Sequence, residues 1–598
     1  MTRLGRPPVE PQPAPGDAVP ATGAPRGGRR LHAPAAAGFV VLTVGFLWPA
    51  VAHYRDRVLS QGGDGSTFLW AWWAMPRALL AGHNPFVTDK LFHPVGGNLA
   101  FHTTAPLEMV LSWPVARLLG LGAAVNTLQL AAVFLSALGA YLLAFHACGD
   151  RRAAFFAGVA FAFVPYRFVH MGGHFNLIHT EFLPFGLLAF LRFVDEQTRR
   201  RAVWLGAVVG LTFLTDFYYT VFLLLALGVL GLARRRDLGR GSLRLLAEAG
   251  FIAALVALPL LVAMVQALMA GELDPLPGWG GADVYSADAI AWILPPARHP
   301  WWGSFVSRAQ VGRPVQGEGI AYPGLVVLGL AVAGRGLGDR VSRRGWVALA
   351  VIAGVLAMGP FLQVGGRSGG AFSYLGRSFT FPLPYLALHF IPVLNGVRVP
   401  GRFAIVAILA LDVLAAVALA SLIRRCSARG LAACAVALVV TLVEFLPGVP
   451  SSHPVAVPAP YHRIRADSGG GAVLEVPLQW WSGTDEVGDG RLGRDDTIFV
   501  YYATVHGRPL VSGYLSRYPS ERLARLTAVP VYRQVLALGD EPGFSGPATF
   551  TADDLRALGI GYVVYHRDRP WPAAFAYLSG LGLPVLADDG TIVAWKVG

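Results

Sequence analysis

From about residue 35 to about residue 447, long apolar runs alternate with short polar interruptions. A hydrocarbon core about 30 Å thick takes ~20 apolar residues in a helix. Runs that meet this requirement lie near 35–53, 122–147, 152–168, 178–194, 202–216, 217–233, 244–268, 321–337, 345–363, 402–423 and 430–447. The stretch 202–233 is continuously apolar and too long for a single crossing. Asp216, at the centre of LTDFYYT, marks a polar turn that divides it into two helices. Residues 451–598 change character: AVLEVPL, GYVVYH and TIVAWKV have strand length, and polar loops separate them. LTAVPVYRQVLAL and TADDLRALG read as short helices, the second with Thr551 as N-cap. The predicted fold class is a polytopic α-helical membrane protein of about eleven transmembrane helices (35–450), followed by a soluble α/β domain (451–598) of ordinary domain size. Residues 1–34 are rich in Pro, Gly and Ala, carry Arg3, Arg6, Arg26, Arg29 and Arg30, and read as a disordered basic tail. No small-residue cleavage motif follows the run Ala35–Ala52, so it reads as a retained span and not as a signal peptide.

Composition narrows the class. The chain has 598 residues, 54% hydrophobic and 14% charged, with mean hydropathy +0.51. Soluble proteins carry about 25% charged residues, so a soluble enzyme and a disordered scaffold are both excluded. Net charge is +13, from 49 basic and 36 acidic residues. The arginines explain it: Arg29–Arg30, Arg151–Arg152, Arg199–Arg201, Arg234–Arg236, Arg343–Arg344 and Arg424–Arg425 recur after every second span. That is the positive-inside pattern. It predicts those loops in the cytoplasm, and Asp64, Asp216, the 270–320 and 364–401 loops and the C-terminal domain on the outer face. The basic balance is then mostly topology signal, and nucleic acid drops out as a partner. Cys148, Cys426 and Cys434 are too scattered for a disulfide framework or a zinc site.

The first outer loop, Tyr54–Pro106, holds Asp56, Asp64, Asp89, His83, His93 and His102. After GGDG, Ser66 or Thr67 can cap a helix in which Phe68, Trp72, Met75 and Leu79 share one face. This spacing predicts an amphipathic helix lying flat at the membrane interface. Asp64 follows two glycines and can present its carboxylate just above the bilayer. The plainer reading is a helix cap, since aspartate is common at helix starts.

Other outer segments add cations. Within 373–402, SYLGRSFTFPLPYLALHFIPVLNGVRVPGR, the residues Arg398 and Arg402 enter a span four positions apart and can fork a phosphate, with His389 and Arg377 nearby. Arginines at span ends also snorkel to lipid head groups. PYRFVHMGGHFNLIHTEF brings Arg167, His170, His174, His179 and Glu181 into one short turn. His170, His174 and Glu181 resemble a metal set, but Gly172–Gly173 interrupts the helix between the histidines. Contact with a lipid phosphate or an acceptor is preferred there, and no metal residue is assigned. Asp216 reads first as a turn residue and second as another active-site acid, and Glu108 and Glu444 are similar cases near span ends. In the C-terminal domain, YYATVHGRPLVSGYLSRYP offers His506, Arg508, Tyr514, Arg517 and Tyr518. They suit sugar contact, though ordinary loop residues are the preferred reading. The chain has no GxxxxGK[ST] loop and no convincing GxGxxG after a strand, against nucleotide use.

The order first span, outer loop with an early Asp, many spans, outer soluble domain resembles the GT-C superfamily of polyprenyl-phosphate-dependent glycosyltransferases. GDGSTFLWAWWAM…GHNPFVTDKLFHPVGGNL, LNGVRVPGRFAI and HGRPLVSGYLSRYP resemble bacterial membrane proteins of that kind. The resemblance implies an acidic residue of the first outer loop acting as base or positioning the acceptor, a role it carries to Asp64 alone. The paired acidic form of that loop is not present, since Gly65 follows Asp64. The implied reaction is inverting or retaining transfer of a sugar from a polyprenyl-phosphate donor to a glycan, lipid or protein acceptor outside the cytoplasmic membrane. A divalent cation is left open. Such chemistry needs a carboxylate for the acceptor proton and cations for the departing phosphate. Arg398, Arg402, His389 and Arg377 are the candidates on the donor side. His102, Arg167, His174, Glu181 and Asp216 are the acceptor-side or secondary ones. The competing classes are a flippase of lipid-linked sugars and a non-catalytic envelope-assembly protein. No internal repeat of the transporter kind is visible. A spatial expectation follows: Asp64 and Arg398 or Arg402 should face one outer cavity of ~300–1,000 Å³.

Overall fold

A computed structural model describes residues 32–60, 64–276, 278–309, 317–334, 340–366, 372–374, 377–391, 394–446, 452–482, 491–492 and 497–598. Each of the eleven apolar runs is helical over much of its length. Local chemistry sets the breaks. Gly149 takes a left-handed conformation after the helix Leu121–Cys148, and the Asp150 carboxylate accepts from the backbone N–H groups of Arg152 and Ala153, starting Arg151–Ala162. Asp216 is extended between the helices Arg199–Thr215 and Phe217–Ala233 and caps the second through Tyr219 N–H. The last two runs are halves of Ala404–Glu444, broken at Cys426–Ser427 beside Arg424 and Arg425. Glu444, at the far end of that helix, caps Leu325–Ala333 by accepting from Leu325 N–H at 2.7 Å.

Among the described residues, four helices are long and apolar enough to cross a membrane: Leu121–Cys148, Arg151–His170, Ser242–Met269 and Pro400–Glu444. Residues 404–420 of the last form the centre of the bundle and are almost wholly buried. Ser242–Met269 instead turns Phe251, Leu255, Leu258, Val262 and Val265 outward. An apolar outer face of that extent suits lipid, not water. Several of the described arginine-bearing loops are tied to their neighbours by hydrogen bonds. Arg199 Nε donates to Glu248 at 3.1 Å, Gln197 Nε2 to Asp237 O at 2.7 Å, and Arg424 Nη1 to Cys148 O at 3.2 Å. Asp64, Asp216 and Arg398 lie together elsewhere, around a cavity described below.

In the C-terminal part, a four-stranded sheet runs in the order Val585–Asp588, Ile592–Lys596, Ile560–His566, Ala472–Val476. Its only parallel pair is Ile560–His566 with Ala472–Val476. A second sheet places Gly513–Leu515 parallel to Trp480–Ser482. All three predicted strands are present, and Thr551 caps Ala552–Ala557 in a reciprocal capping box with Asp554. Pro530 starts a new helix, so the segment read as one helix is divided between Ser520–Thr527 and Pro530–Leu538.

Residues 54–106 belong to the core of this C-terminal part. Arg57–Val58 pairs with His453–Pro454. Phe92 N–H donates to Ser512 O, His93 N–H to Leu510 O, and Leu510 N–H to Lys90 O. The predicted amphipathic helix is present as Asp64–Leu80, but it begins at Asp64, so neither Ser66 nor Thr67 is the cap. It also does not lie flat on lipid. Phe68, Trp70, Trp72 and Met75 are buried in one hydrophobic cluster with Phe175, Tyr461, Trp480 and Phe499. Trp72 Nε1 donates to Thr104 O at 3.0 Å. Covering such side chains contributes ~1.5–3 kcal/mol each, so the helix is held by protein on the face where lipid was expected.

Candidate functional site

A cavity of about 680 Å³ lies where the bundle, the first outer loop and the C-terminal domain meet. Asp64 reaches it from the first turn of its helix. Its predecessors Gly62 and Gly63, invoked for a sharp bend, lie outside the described residues. Gly65 has a steric reason: a Cβ there would stand 2.4 Å from Ser60 Oγ. A second acidic side chain at 65 would have to push Ser60 aside, which accounts for the unpaired form of the loop.

Four charges alternate across the cavity wall. His174 Nε2 is 3.3 Å from Asp64 Oδ2 and 3.4 Å from Glu318 Oε1. Glu318 in turn accepts from Arg402 Nε at 3.0 Å and Arg402 Nη2 at 2.9 Å, a bidentate pair. The Arg402 guanidinium lies over the Tyr218 ring, 5.0 Å from its centre. Burial pushes the Asp64 carboxyl up, but the hydrogen bond and charge of His174, helped by Tyr514 and His102, hold it below the usual carboxylate range. Burial pushes His174 down, and Glu318 and Asp64 more than reverse this, leaving it above the ordinary imidazole value. Burial also raises Glu318, yet Arg402, His174 and His170 bring it well below the carboxylate range. Asp64 and Glu318 are therefore ionised at neutral pH, and their charges favour the imidazolium form of His174.

His102 differs. Burial drives its pKa down to about 4, so the ring is neutral. Ser516 N–H donates to His102 Nδ1 at 3.0 Å, which puts the ring proton on Nε2. That buried Nε2 has no hydrogen-bond partner. Arg398 is anchored through its backbone N–H, which donates to Tyr218 Oη at 3.2 Å, while its buried Nη1 is unpaired. Asp216 accepts from Asn176 Nδ2 at 2.6 Å and from Tyr219 N–H at 2.9 Å. The opposite wall is apolar, with Phe213, Leu214, Leu260, Met264 and Leu268. Leu268 is half exposed, so this wall continues onto the outward face of Ser242–Met269.

The structure thus brings Asp64, His102, His174, Asp216, Arg398 and Arg402 to one cavity, of the size anticipated. Other candidates are elsewhere. His389 packs on Trp279, ring centres 4.9 Å apart, and does not line the cavity. Arg167 is wholly buried and donates to Ala162 O at 2.8 Å, to Ile178 O and to Thr180 Oγ1. It fastens the 171–180 turn and is not free for a ligand. Glu181 accepts from His179 Nδ1 at 2.8 Å behind the cavity wall. The Arg377 side chain lies outside the described residues. Arg402 lines the cavity, but its two hydrogen bonds go to Glu318 and not toward a free anion site.

The helix ends at His170, as expected, yet the turn through Gly172–Gly173 keeps the two histidines together. His174 N–H donates to His170 O at 2.9 Å, continuing the turn, and the rings are 5.5 Å apart. Their third partner is Glu318, not Glu181: one ligand atom from each of His170, His174 and Glu318 lies within 4.8 Å of the others. These three could hold a metal ion, which would share Glu318 with Arg402. Sequence reasoning did not single out Glu318, Asn176 or Ser516. It weighed Tyr514 and Arg517 but preferred an ordinary loop role, whereas both line the cavity. His506, Arg508 and Tyr518 do not: Arg508 Nη2 donates to Asp467 O at 2.9 Å within the domain.

Replacement of His174 gives a pH signature. Its folded pKa exceeds the unfolded value of about 6.5, so its ion pairs stabilise in full below ~6.5 and fade as pH rises through the higher folded value. The gap in thermal unfolding midpoint between the parent and His174→Gln should be widest near about pH 6 and close on the alkaline side. A gap independent of pH would contradict the ion-pair assignment.

A family model described as "Domain of unknown function (DUF6311)" matches residues 35–445, and the chain belongs to that family. No curated protein matches the sequence. Among solved structures, the arabinofuranosyltransferase AftD from Mycobacteria is similar over 95% of this chain, at 18% identity and TM-score 0.60. This chain spans 40% of that structure's length. ArnT from Cupriavidus metallidurans, bound to undecaprenyl phosphate, is 15% identical, with 94% of this chain and 98% of that one covered and a TM-score of 0.49. The Archaeoglobus fulgidus oligosaccharyltransferase is 13% identical, with 90% and 69% covered and a TM-score of 0.45. The AftD likeness is one of fold.

Proposed function

We propose that this member of the DUF6311 family is a membrane glycosyltransferase that moves a sugar from a polyprenyl-phosphate donor to an acceptor hydroxyl. One observation carries the reading: a single cavity holds an ionised, histidine-paired carboxylate, a guanidinium with an unpaired buried nitrogen, and an apolar wall that opens toward a lipid-suited helix face. Each part matches one need of the reaction. The apolar wall along Leu260, Met264 and Leu268 suits the first isoprene units of a lipid chain. Asp64 takes the proton of the acceptor hydroxyl as its oxygen bonds to C1 of the sugar. The bond from C1 to the phosphate oxygen breaks, the electron pair goes to that oxygen, and Arg398 holds the departing phosphate. His174 keeps Asp64 ionised and oriented. The neutral His102 offers Nε2–H to a sugar or acceptor oxygen. AftD, itself named an arabinofuranosyltransferase, supports transferase chemistry on this fold. With the arginine-bearing loops in the cytoplasm, the cavity and the C-terminal domain belong on the outer side of the cytoplasmic membrane.

Purified protein in vesicles containing a radiolabelled polyprenyl-phosphate sugar tests the reading. Release of polyprenyl phosphate should equal the sugar transferred. Movement of intact donor between leaflets without cleavage of its C1–O bond would replace the transferase reading with a flippase.

A further inference from the structure

The charges lining the cavity do not all cancel. Asp64 is paired with His174 and Glu318 with Arg402, while Asp216 has its oxygens engaged by the neutral Asn176 and Tyr219 N–H and has no cation within 4.0 Å among the described residues. Two guanidiniums remain, Arg398 from the loop entering the central helix and Arg517 from the C-terminal domain. Neither has a carboxylate within 4.0 Å among the described residues. We infer that Arg398 and Arg517 form one phosphate clamp across the domain boundary, so that the C-terminal domain supplies part of the donor site.

Arg517 is positioned to serve this role by its neighbours. Ser516 is bound to His102, and Tyr518 stacks on Phe92 at 3.8 Å and donates its hydroxyl to Gly96 O at 3.2 Å. Both flanking residues are thus tied to the first outer loop, and the side chain between them lines the cavity. Burial, followed by the like charge of Arg398, lowers the Arg517 pKa. Tyr218 opposes this, but no carboxylate contributes, as expected for a cation whose counter-ion comes with a ligand. The chemistry gives two cations a purpose that one would not serve. A sugar–phosphate–prenyl diester carries one negative charge. When the C1–O bond breaks and the electron pair stays on the phosphate oxygen, the released monoester gains a second. Two guanidiniums match the product and the developing transition-state charge better than the donor, and differential binding of that kind accelerates the step.

The inference rests on the lipid-donor reading, and the test separates the two. Binding of polyprenyl monophosphate, inorganic phosphate and neutral polyprenol is measured with the full chain in nanodiscs, for the parent, Arg398→Ala, Arg517→Ala and Arg517→Lys. Arg398→Ala and Arg517→Ala should each weaken polyprenyl monophosphate binding at least ~10-fold, with polyprenol binding unchanged in both. Arg517→Lys should recover part of the loss, and it decides the matter if the alanine variant does not fold. Parent-like polyprenyl monophosphate binding by Arg517→Ala, with Arg398→Ala impaired, would overturn the clamp and leave the donor reading standing. Arginine-dependent binding of inorganic phosphate alone would keep the clamp and remove the lipid donor. No phosphate binding by the parent would overturn the clamp.

Discussion

Asp64→Asn should lower the rate of sugar transfer ~10²–10⁴-fold, the usual contribution of a positioned general base. The substitution keeps the volume of the side chain, the start of the helix Asp64–Leu80 and a hydrogen-bonding partner for Tyr514. It removes the charge that His174 holds in place and the lone pair that receives the acceptor proton. Donor binding should change little, because the phosphate is held by arginines across the cavity. The expected signature is thus a fall in kcat with KM for the donor nearly unchanged. Transfer at the parent rate would show that Asp64 only starts its helix, and the base assignment would be wrong.

Glu318→Ala should be the most destabilising single change at the site. Among the described residues Glu318 is the sole carboxylate paired with Arg402, and both side chains are mostly buried. Removing one partner of a buried ion pair costs about 3–5 kcal/mol, because the remaining charge loses its compensation. His174 also loses one of its two carboxylates, so the His174–Asp64 contact should loosen and transfer should fall as well. The double variant Glu318→Met with Arg402→Met separates these effects. Replacing both charges with apolar groups of similar volume should recover most of the unfolding midpoint, while transfer stays low because His174 has still lost Glu318. If Glu318→Ala unfolds at the parent temperature, the Asp64–His174–Glu318–Arg402 chain does not hold this wall together.

The long-period features of the fold were legible in the sequence. Apolar runs gave the helices, and shorter apolar runs of strand length gave the strands at 472, 560 and 592, because both follow from local burial patterns. The turn at Asp216 and the cap at Thr551 were legible for the same reason. What covers an apolar face was not. The Phe68–Trp72–Met75 stripe marks a buried face but does not say whether lipid or protein buries it, and the C-terminal domain proved to be the cover. Of the site, Asp64, Arg398 and Arg402 were legible as outer charges without a topological reason. The same reasoning admitted Arg167 and His389, since a cation satisfied by nearby carbonyls and one turned toward a distant tryptophan look alike in sequence. Glu318 was hidden and Arg517 read as an ordinary loop residue because their meaning comes from partners far along the chain, His174 and Arg402 for one and Arg398 for the other. Only the closing of the outer loops over the bundle brings them together.

One cavity should hold the lipid phosphate, the reacting sugar and the base together. A structure of the full chain with a non-transferable polyprenyl-phosphate sugar analogue tests this most directly. The phosphate should lie beside Arg398, the prenyl chain along Leu260, Met264 and Leu268, and the sugar between the phosphate and Asp64. A lipid phosphate bound outside this cavity, with Asp64 and Arg398 as they are here, would contradict this arrangement.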